Sequence, residues 1–139
     1  MPERTATAKW EGGLKGGTGT MRMAAWEGPY SFTSRFEEGE GTNPEELIAA
    51  AHAGCFSMAF SAQLGAAGLT AERIQTSAAV TLDKVGDGFA ITAVHLDLVA
   101  KVPGADPKAF ETAAAQAKEG CPVSKVLNAK ITLDARLEG

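Results

Sequence analysis

The sequence is poor in cysteine, and it has no excess of positive charge. Two cysteines among 139 residues are too few for the disulfide framework of a small secreted protein, and they do not form a CxxC pair. The 13 lysines and arginines are scattered among 17 acids, so that the formal net charge is −4. Because no basic stripe is present to meet phosphates, we expect no nucleic-acid partner.

The chain also lacks a long run of large aliphatic side chains. Its most apolar stretch, 47–68, is dominated by alanine and glycine and contains His52 and Gln63, so we interpret it as a core helix and not as a membrane span. The first five residues contain no apolar segment of the signal-peptide type. We therefore expect one cytoplasmic domain over residues 1–139, with no membrane partner and with reduced thiols.

Strand patterns are present at both ends and in the middle of the chain. Period-two alternation of apolar and polar residues, bounded by glycine-rich turns, predicts strands at 5–10, 18–26, 31–36, 73–102 (a hairpin turning at Gly86-Asp87-Gly88) and 130–137. The strands are separated by helical patterns, and this order predicts an α+β fold with mainly antiparallel sheets and two main helices.

Two longer helices and one short helix are predicted between these strands. Thr42 or Asn43 can cap the first helix, and Pro44 with two following glutamates favours its start, so this helix runs from Pro44 to about residue 67. The second helix follows an Asp-Pro pair and covers 107–119, and a short helical piece covers 123–128.

The two cysteines are the first candidates for chemistry. Cys55 lies in the middle of the long helix, where a thiol can be a small buried hydrophobe or a nucleophile, and spacing alone leaves both interpretations open. Cys121 lies between Gly120 and Pro122, in a turn that can present it to another sulfur. A disulfide between them would restrict the unfolded chain by roughly 4 kcal/mol, and in a reducing cytosol such a bond is better explained by catalysis than by structure.

The histidines offer weaker candidates. His52 lies one turn before Cys55 and can act as its base, but we favour a buried, hydrogen-bonded structural role. His95 shares a strand face with Asp97, and we expect it to be solvated. The spacing of the histidines and cysteines matches no zinc pattern, and the glycine-rich hairpin loop lacks a phosphate-binding motif, so we predict no metal and no cofactor.

Two segments resemble a known family. Residues 41–59, which contain Thr-Asn-Pro-Glu-Glu-Leu and Ala-His-Ala-Gly-Cys, and residues 120–124, Gly-Cys-Pro-Val-Ser, resemble the osmotically inducible protein C (OsmC) and organic hydroperoxide resistance (Ohr) family. The resemblance extends over nearly the whole chain and is closer to the OsmC branch. It implies an intertwined homodimer and a thiol peroxidase that reduces organic hydroperoxides, and more weakly hydrogen peroxide, with a dithiol such as a lipoyl-bearing protein as reductant.

The resemblance also implies the roles of individual residues. By position, Cys55 matches the peroxidatic cysteine, which forms a sulfenic acid, and Cys121 matches the resolving cysteine, which closes a disulfide with it. Glu45 matches the site glutamate and Arg35 the site arginine, with Arg22 as the alternative. An arginine about 4 Å from a thiol favours the thiolate by a few kcal/mol before desolvation is subtracted, and a glutamate can hold the guanidinium by two hydrogen bonds.

Helix geometry gives a separate reason to expect a dimer. Ten residues of α-helix place Glu45 and Cys55 about 15 Å apart along the axis, which is too far for both to share one compact site. An antiparallel copy of the helix crossing near Ala50 would bring Glu45 of one chain toward Cys55 of the other. We expect the substrate pocket to be formed by the larger apolar residues around Cys55 in sequence, namely Leu47, Ile48, Phe56, Met58 and Phe60.

Two other classes of function remain open at this point. In the first, the chain is a non-catalytic redox sensor or a small-ligand binding domain, in which Cys55 reacts once and passes the signal to a partner. In the second, it is a structural protein with two inert thiols. Turnover of peroxide distinguishes the peroxidase from both.

Overall fold

The structure is a computed structural model that describes residues 2–139. The chain forms six strands and four helices within these residues, and it divides into two compact units, one ending at Leu47 and one starting at Ile48. The strands are β1 Thr7–Glu11, β2 Thr18–Arg22, β3 Glu27–Tyr30, β4 Arg73–Val85, β5 Gly88–Lys101 and β6 Lys130–Leu137. The helices are α1 Phe32–Phe36, α2 Pro44–Ala66, α3 Pro107–Gly120 and α4 Pro122–Val126. The α+β class is confirmed, whereas the single domain over 1–139 stays a prediction.

The first unit contains a three-stranded antiparallel sheet in the order β1-β2-β3. Gly19 pairs with Trp10 on one side and Tyr30 on the other, and the two rings lie with their centroids 5.3 Å apart. A Cβ atom at Gly19 would meet the rings of Tyr30 and Trp10 at 2.5 and 2.6 Å, so only glycine lets them close over the strand.

The prediction of a strand at 31–36 was wrong. The third strand ends at Tyr30, and the residues after it form α1. Ser31 caps this helix, because its hydroxyl accepts a hydrogen bond from the Ser34 N–H at 3.2 Å, while the Ser34 hydroxyl accepts one from the Ser31 N–H at 2.8 Å. Phe32 and Phe36 are four residues apart and their ring centroids lie 5.0 Å apart, which is the spacing of one helix face.

The second unit contains the sheet β4-β5-β6, in which β4 and β5 are antiparallel and β5 and β6 are parallel. Three of the four strand pairings in the two sheets are antiparallel, as expected. The parallel pairing was not predicted. It is possible because α3 and α4 lie between β5 and β6 in sequence and provide the long crossover that parallel strands require.

One face of the second sheet and one stripe of α2 form the core of the second unit. The buried stripe of α2 recurs every four residues, at His52, Phe56, Phe60 and Leu64. Phe60 packs edge-on against Phe110 of α3, with ring centroids 5.5 Å apart. The core also includes inward-facing residues of β5 and small residues of α3, namely Val94, Leu96, Leu98, Ala100, Ala113, Ala114 and Ala117.

The other face of α2 is apolar and open. Ala50, Gly54 and Met58 are exposed, and the Met58 side chain retains 77% of its accessible surface. Among the described residues, α2 is the one helix that is long and apolar enough to cross a membrane, a property it shares with core helices of soluble proteins. An apolar helix face of this kind favours packing against another apolar surface.

Candidate active site

The two thiols, 66 positions apart in sequence, lie side by side in the second unit. Cys55 projects from α2, and Cys121 follows the last turn of α3, where its N–H donates to the Ala117 carbonyl at 2.9 Å. Both are free cysteines, and their Sγ atoms are 2.9 Å apart at hydrogen-bond distance. A disulfide bond is about 2.05 Å long, so only a small movement separates this pair from a covalent bond. The structure thus brings together the two residues proposed from the sequence as peroxidatic and resolving cysteines.

The two thiols differ in acidity. Burial, followed by the hydrogen bond with Cys121, raises the pKa of Cys55. Burial also raises the pKa of Cys121, but the hydrogen bonds with Cys55, with the backbone and hydroxyl of Ser124 and with the Val123 backbone outweigh it and hold this pKa below its usual range. Within one chain, Cys121 is therefore the more acidic thiol.

Arg35 and Glu45 form a bidentate ion pair in the first unit. The Arg35 Nε and Nη2 atoms donate to the two carboxylate oxygens of Glu45, each at 3.0 Å. The Glu45 side chain is 11% exposed and the Arg35 side chain 37% exposed, so the carboxylate is buried while part of the guanidinium faces outward. Such a pair fixes the direction of the guanidinium.

Local hydrogen bonds position this pair. Asn43 caps α2 by accepting a hydrogen bond from the Glu46 N–H at 2.7 Å, and its amide donates to the Ser34 carbonyl at 2.9 Å. The Ser34 hydroxyl donates to the Thr42 carbonyl at 2.7 Å. These contacts join α1, which carries Arg35, to the first turn of α2.

Arg22, the alternative site arginine, has a different partner. Its Nε and Nη2 atoms lie 2.8 Å from the Glu27 carboxylate, on exposed strands of the first sheet. The geometry therefore favours Arg35 as the arginine that Glu45 orients, in agreement with the sequence-based choice.

A cavity of about 220 Å³ adjoins Arg35 in the first unit. Apart from Arg35 and Ser31, its lining is apolar and mostly aromatic, consisting of Trp10, Leu14, Tyr30, Phe32 and Phe36. None of these apolar residues was among those proposed for substrate from the sequence. The signal that could have found them is the clustering of aromatic residues on both sides of Arg35.

The residues proposed from the sequence as a substrate pocket are placed elsewhere. Phe56 and Phe60 have no exposed surface and belong to the core, so they cannot receive a substrate without repacking. Met58 points into solvent, and Leu47 and Ile48 are half-buried. These residues do not form one pocket, because residues that are close in sequence on the helix α2 point to different sides of the helix.

His52 is buried and hydrogen-bonded, as expected, but its partner was not predicted. Its side chain has no exposed surface, and its Nε2 atom lies 2.7 Å from the Ser124 Oγ atom. Burial lowers the pKa of His52. The contact was not predicted because Ser124 lies 72 positions from His52 in sequence.

One group of side chains in residues 2–139 could hold a metal ion. It consists of His95, Asp97 and Asp134, whose potential ligand atoms lie within 4.8 Å of one another. His95 is less solvated than expected, because its Nδ1 atom lies 2.6 Å from the Thr132 hydroxyl and its Nε2 atom 3.1 Å from Asp134. Exposed acidic groups of this kind are common without a metal, and we assign none.

Comparison with known proteins places the chain in a family. The family model described as OsmC-like protein matches residues 37–136. The chain belongs to the OsmC-like family. This OsmC-like chain is 53% identical over 134 residues to the protein named Peroxiredoxin OsmC of Escherichia coli (strain K12), covering 94% of each chain. It is 31% identical over 100 residues to an organic hydroperoxide resistance protein of Xanthomonas axonopodis pv. citri, covering 71% of this chain and 68% of the relative.

The fold of the OsmC-like chain also matches solved structures. A crystal structure of an organic hydroperoxide resistance protein OsmC from Legionella pneumophila superposes with a TM-score of 0.71 over the full length of both chains, at 24% sequence identity. At that identity the match shows a shared fold. The family and the fold predicted from the sequence are thereby confirmed.

Proposed function

We propose that this chain is a cysteine-based peroxidase that reduces organic hydroperoxides to alcohols. The observation that carries the proposal is the 2.9 Å separation of two free thiols that lie 66 residues apart in sequence. The names of the two relatives, Peroxiredoxin OsmC and organic hydroperoxide resistance protein, support the same chemistry.

The reaction has two steps before reduction. In the first, the Cys55 thiolate attacks the terminal oxygen of the hydroperoxide, the O–O bond breaks, and the alkoxide takes a proton and leaves as the alcohol. In the second, the Cys121 thiolate attacks the sulfur of the Cys55 sulfenic acid, the S–S bond forms, the S–O bond breaks, and hydroxide leaves and takes a proton from solvent to become water. A dithiol then reduces the disulfide. The lowered pKa of Cys121 suits the second step, because the attacking group must be a thiolate.

The first step requires a positive charge that acts on Cys55. Burial raises the pKa of this thiol, and the groups of the second unit that act on its pKa include no cation. We propose that Arg35, held by Glu45, supplies the charge, because a guanidinium about 4 Å away offsets desolvation by a few kcal/mol at an effective dielectric near 20. The arginine would also donate hydrogen bonds to the peroxide.

A second copy of the chain would provide this arginine. An α-helix places residues 45 and 55 about 15 Å apart along its axis. The exposed face of α2 is apolar, and its small residues Ala50 and Gly54 permit close approach, since a Cβ atom at Gly54 would meet nothing within 4 Å. We propose a homodimer in which this face packs against its copy and each active site combines residues of both chains.

The cavity beside Arg35 would hold the organic part of the substrate. Its aromatic lining can bury an alkyl or aryl group next to the guanidinium, and each buried methylene contributes about 0.8 kcal/mol. Bulky hydroperoxides would therefore be preferred over hydrogen peroxide. The same apolar lining suits a dithiol with a hydrocarbon arm, such as a lipoyl group. We propose that the reaction takes place in the cytoplasm.

A steady-state assay with cumene hydroperoxide and dihydrolipoamide tests this function. Cys55→Ser should abolish turnover, whereas Cys121→Ser should form one sulfenic acid per chain and then stop. Mass spectrometry after one equivalent of peroxide should find an intramolecular Cys55–Cys121 link in the wild type. Oxidation of Cys55 without turnover in the wild type would contradict the peroxidase and support the redox sensor.

A further inference from the structure

The Asn43 side chain makes two hydrogen bonds of opposite sense, both within the first unit. Its Oδ1 atom accepts from the Glu46 N–H at 2.7 Å, and its Nδ2 atom donates to the Ser34 carbonyl at 2.9 Å. The first partner is only a donor and the second only an acceptor, so a single orientation of the amide satisfies both. One side chain therefore connects the start of α2 to the residue that precedes Arg35 in α1.

Both partners are backbone groups that a helix leaves unpaired. The Glu46 N–H belongs to the first turn of α2, and the Ser34 carbonyl belongs to the last turn of α1, which ends at Phe36. An isolated helix as short as α1, with five residues, is not stable in water, so contacts to other elements must hold it in place. Asn43 supplies one such contact, and the Ser34 hydroxyl, which donates to the Thr42 carbonyl at 2.7 Å, supplies another.

The helix α3 begins in the same way but with a different capping residue. Asp106 precedes a proline, as Asn43 does, and its Oδ1 atom accepts from the Ala109 N–H at 2.8 Å. A carboxylate caps a helix as well as an amide does, and its negative charge is favourable at a helix N-terminus. An aspartate at position 43 would therefore meet the need for a cap, whereas donation to the Ser34 carbonyl requires the amide.

The Arg35–Glu45 ion pair does not by itself define where the guanidinium lies. The pair orients the guanidinium relative to the Glu45 carboxylate, but a long arginine side chain can reach the same carboxylate from more than one backbone position. The Arg35 side chain is 37% exposed, so neighbouring side chains enclose it only in part. Its place therefore depends on the backbone of α1, which Asn43 holds at the preceding residue.

We propose that Asn43 is a positioning residue that sets the place of the Arg35 guanidinium. It acts through the backbone of Ser34 and contacts no reacting atom. This role rests on the proposed function, in which the guanidinium favours the Cys55 thiolate. Loss of the Asn43 donor should release α1, so that the guanidinium moves among several places and spends less time beside the thiolate.

Two variants remove the donor and keep the cap of α2. In Asn43→Ser the shorter, neutral side chain leaves the Ser34 carbonyl unpaired, and in Asn43→Asp a side chain of the same size offers it a second acceptor. Hydrogen exchange of the Arg35 Nε–H, which donates to Glu45 at 3.0 Å, is measured by NMR without any peroxide. Exchange should be about tenfold faster in both variants, because one hydrogen bond that holds α1 is lost.

Asp106→Ser is the matched control for Asn43→Ser. It places the same residue at the cap of α3, also before a proline, and Asp106 lies in the second unit. Hydrogen exchange of the Arg35 Nε–H should be the same in this control as in the wild type. A difference between the two serine variants then reports the contact with Ser34 and not a change of helix cap.

The same substitution should slow sulfenic acid formation at Cys55. After one equivalent of cumene hydroperoxide at pH 7, Asn43→Ser should react about tenfold more slowly than the wild type, and the thiol pH profile should show a raised pKa of Cys55. In an Arg35→Ala background, Asn43→Ser should slow the reaction no further, because the group that it positions is absent. A general loss of packing would slow the reaction equally in both backgrounds.

The two measurements separate this role from the proposed function. Faster exchange with a wild-type rate of oxidation would support the positioning role and contradict Arg35 as the group that acts on Cys55. Wild-type exchange in both Asn43 variants, or equal slowing of oxidation with and without Arg35, would overturn the positioning role. Circular dichroism and thermal melts identify loss of fold, and Asn43→Asp keeps the test decisive if Asn43→Ser does not fold.

Discussion

The thiol pair and the Arg35–Glu45 pair are held in different ways. Cys55 and Cys121 come from distant parts of the sequence and meet in the core of the second unit, with Cys121 fully buried. Arg35 and Glu45 are ten residues apart, meet in the first unit, and leave part of the guanidinium exposed. The first pair consists of a partly buried and a fully buried thiol at hydrogen-bond distance, whereas the second presents a fixed charge to its surroundings.

This difference explains why one chain is an incomplete enzyme under our proposal. The thiol pair can close a disulfide by itself, but within the second unit it has no cation that favours the Cys55 thiolate. The charged pair lies beside an aromatic cavity that suits an organic substrate. Peroxide reduction requires the thiol pair and the fixed positive charge together, so under our proposal each active site draws on two chains.

The largest effect on the rate of peroxide reduction is expected when the positive charge of Arg35 is removed. Arg35→Ala should raise the pKa of Cys55 further and slow sulfenic acid formation about 100-fold at pH 7, which corresponds to a loss of about 2.7 kcal/mol. The thiol pH profile and the single-turnover oxidation rate measure both changes. Arg22→Ala is the control, because Arg22 pairs with exposed Glu27. A normal rate in Arg35→Ala together with a slow rate in Arg22→Ala would reverse the assignment.

Mixed dimers test whether the two pairs come from different chains. Neither Cys55→Ser nor Arg35→Ala protein should turn over well alone. If each site combines both chains, co-refolding the two variants should recover about a quarter of the wild-type rate, since half of the randomly paired dimers are mixed and each of these has one complete site. No recovery, or a monomer by light scattering at micromolar concentration, would contradict the shared site.

A smaller effect on peroxide reduction should follow from a substitution in the lining of the cavity beside Arg35. Leu14 lines it and is 65% exposed, so Leu14→Ala should fold normally and lower kcat/KM for cumene hydroperoxide about fivefold, while leaving hydrogen peroxide reduction unchanged. Val85→Ala alters another exposed apolar residue, on the second unit, and serves as the control. Equal losses for both peroxides would argue against the cavity as the substrate site.

The free energy of unfolding should also depend on pH, because His52 is buried in the second unit. Burial lowers the pKa of His52 below its usual value of 6.5, so the unfolded chain binds the proton more tightly than the folded one. Stability should therefore be intact above pH 6.5 and fall, by at most about 1.4 kcal/mol per pH unit from this group, as pH decreases through 6.5 toward the folded pKa. Urea unfolding of the wild type and His52→Gln between pH 5 and 8 measures it. Identical pH dependence in both proteins would exclude His52 as the cause.

The elements with strong local signals were predictable. The start of α2 at Pro44 follows from the cap, the proline and the two glutamates, and the last strand occupies 130–137 as expected. The error at 31–36 arose because Ser31 and Ser34 form a capping box that the alternation of polar and aromatic residues concealed. The parallel pairing of β5 with β6 could not be predicted, because strand register across a long crossover has no local sequence signal.

By itself, the sequence determined the α+β class, the long helix with Cys55 on it, and the resemblance that singled out Cys55, Cys121, Glu45 and Arg35. These depend on local chemistry, such as caps, periodicity and a contiguous motif. Only the tertiary structure decided that Cys121 lies 2.9 Å from Cys55, that His52 meets Ser124, and that aromatic residues from β1, β3 and α1 enclose a cavity beside Arg35. The physical reason is that such contacts join residues far apart in the chain, and they form only when the sheets and helices pack.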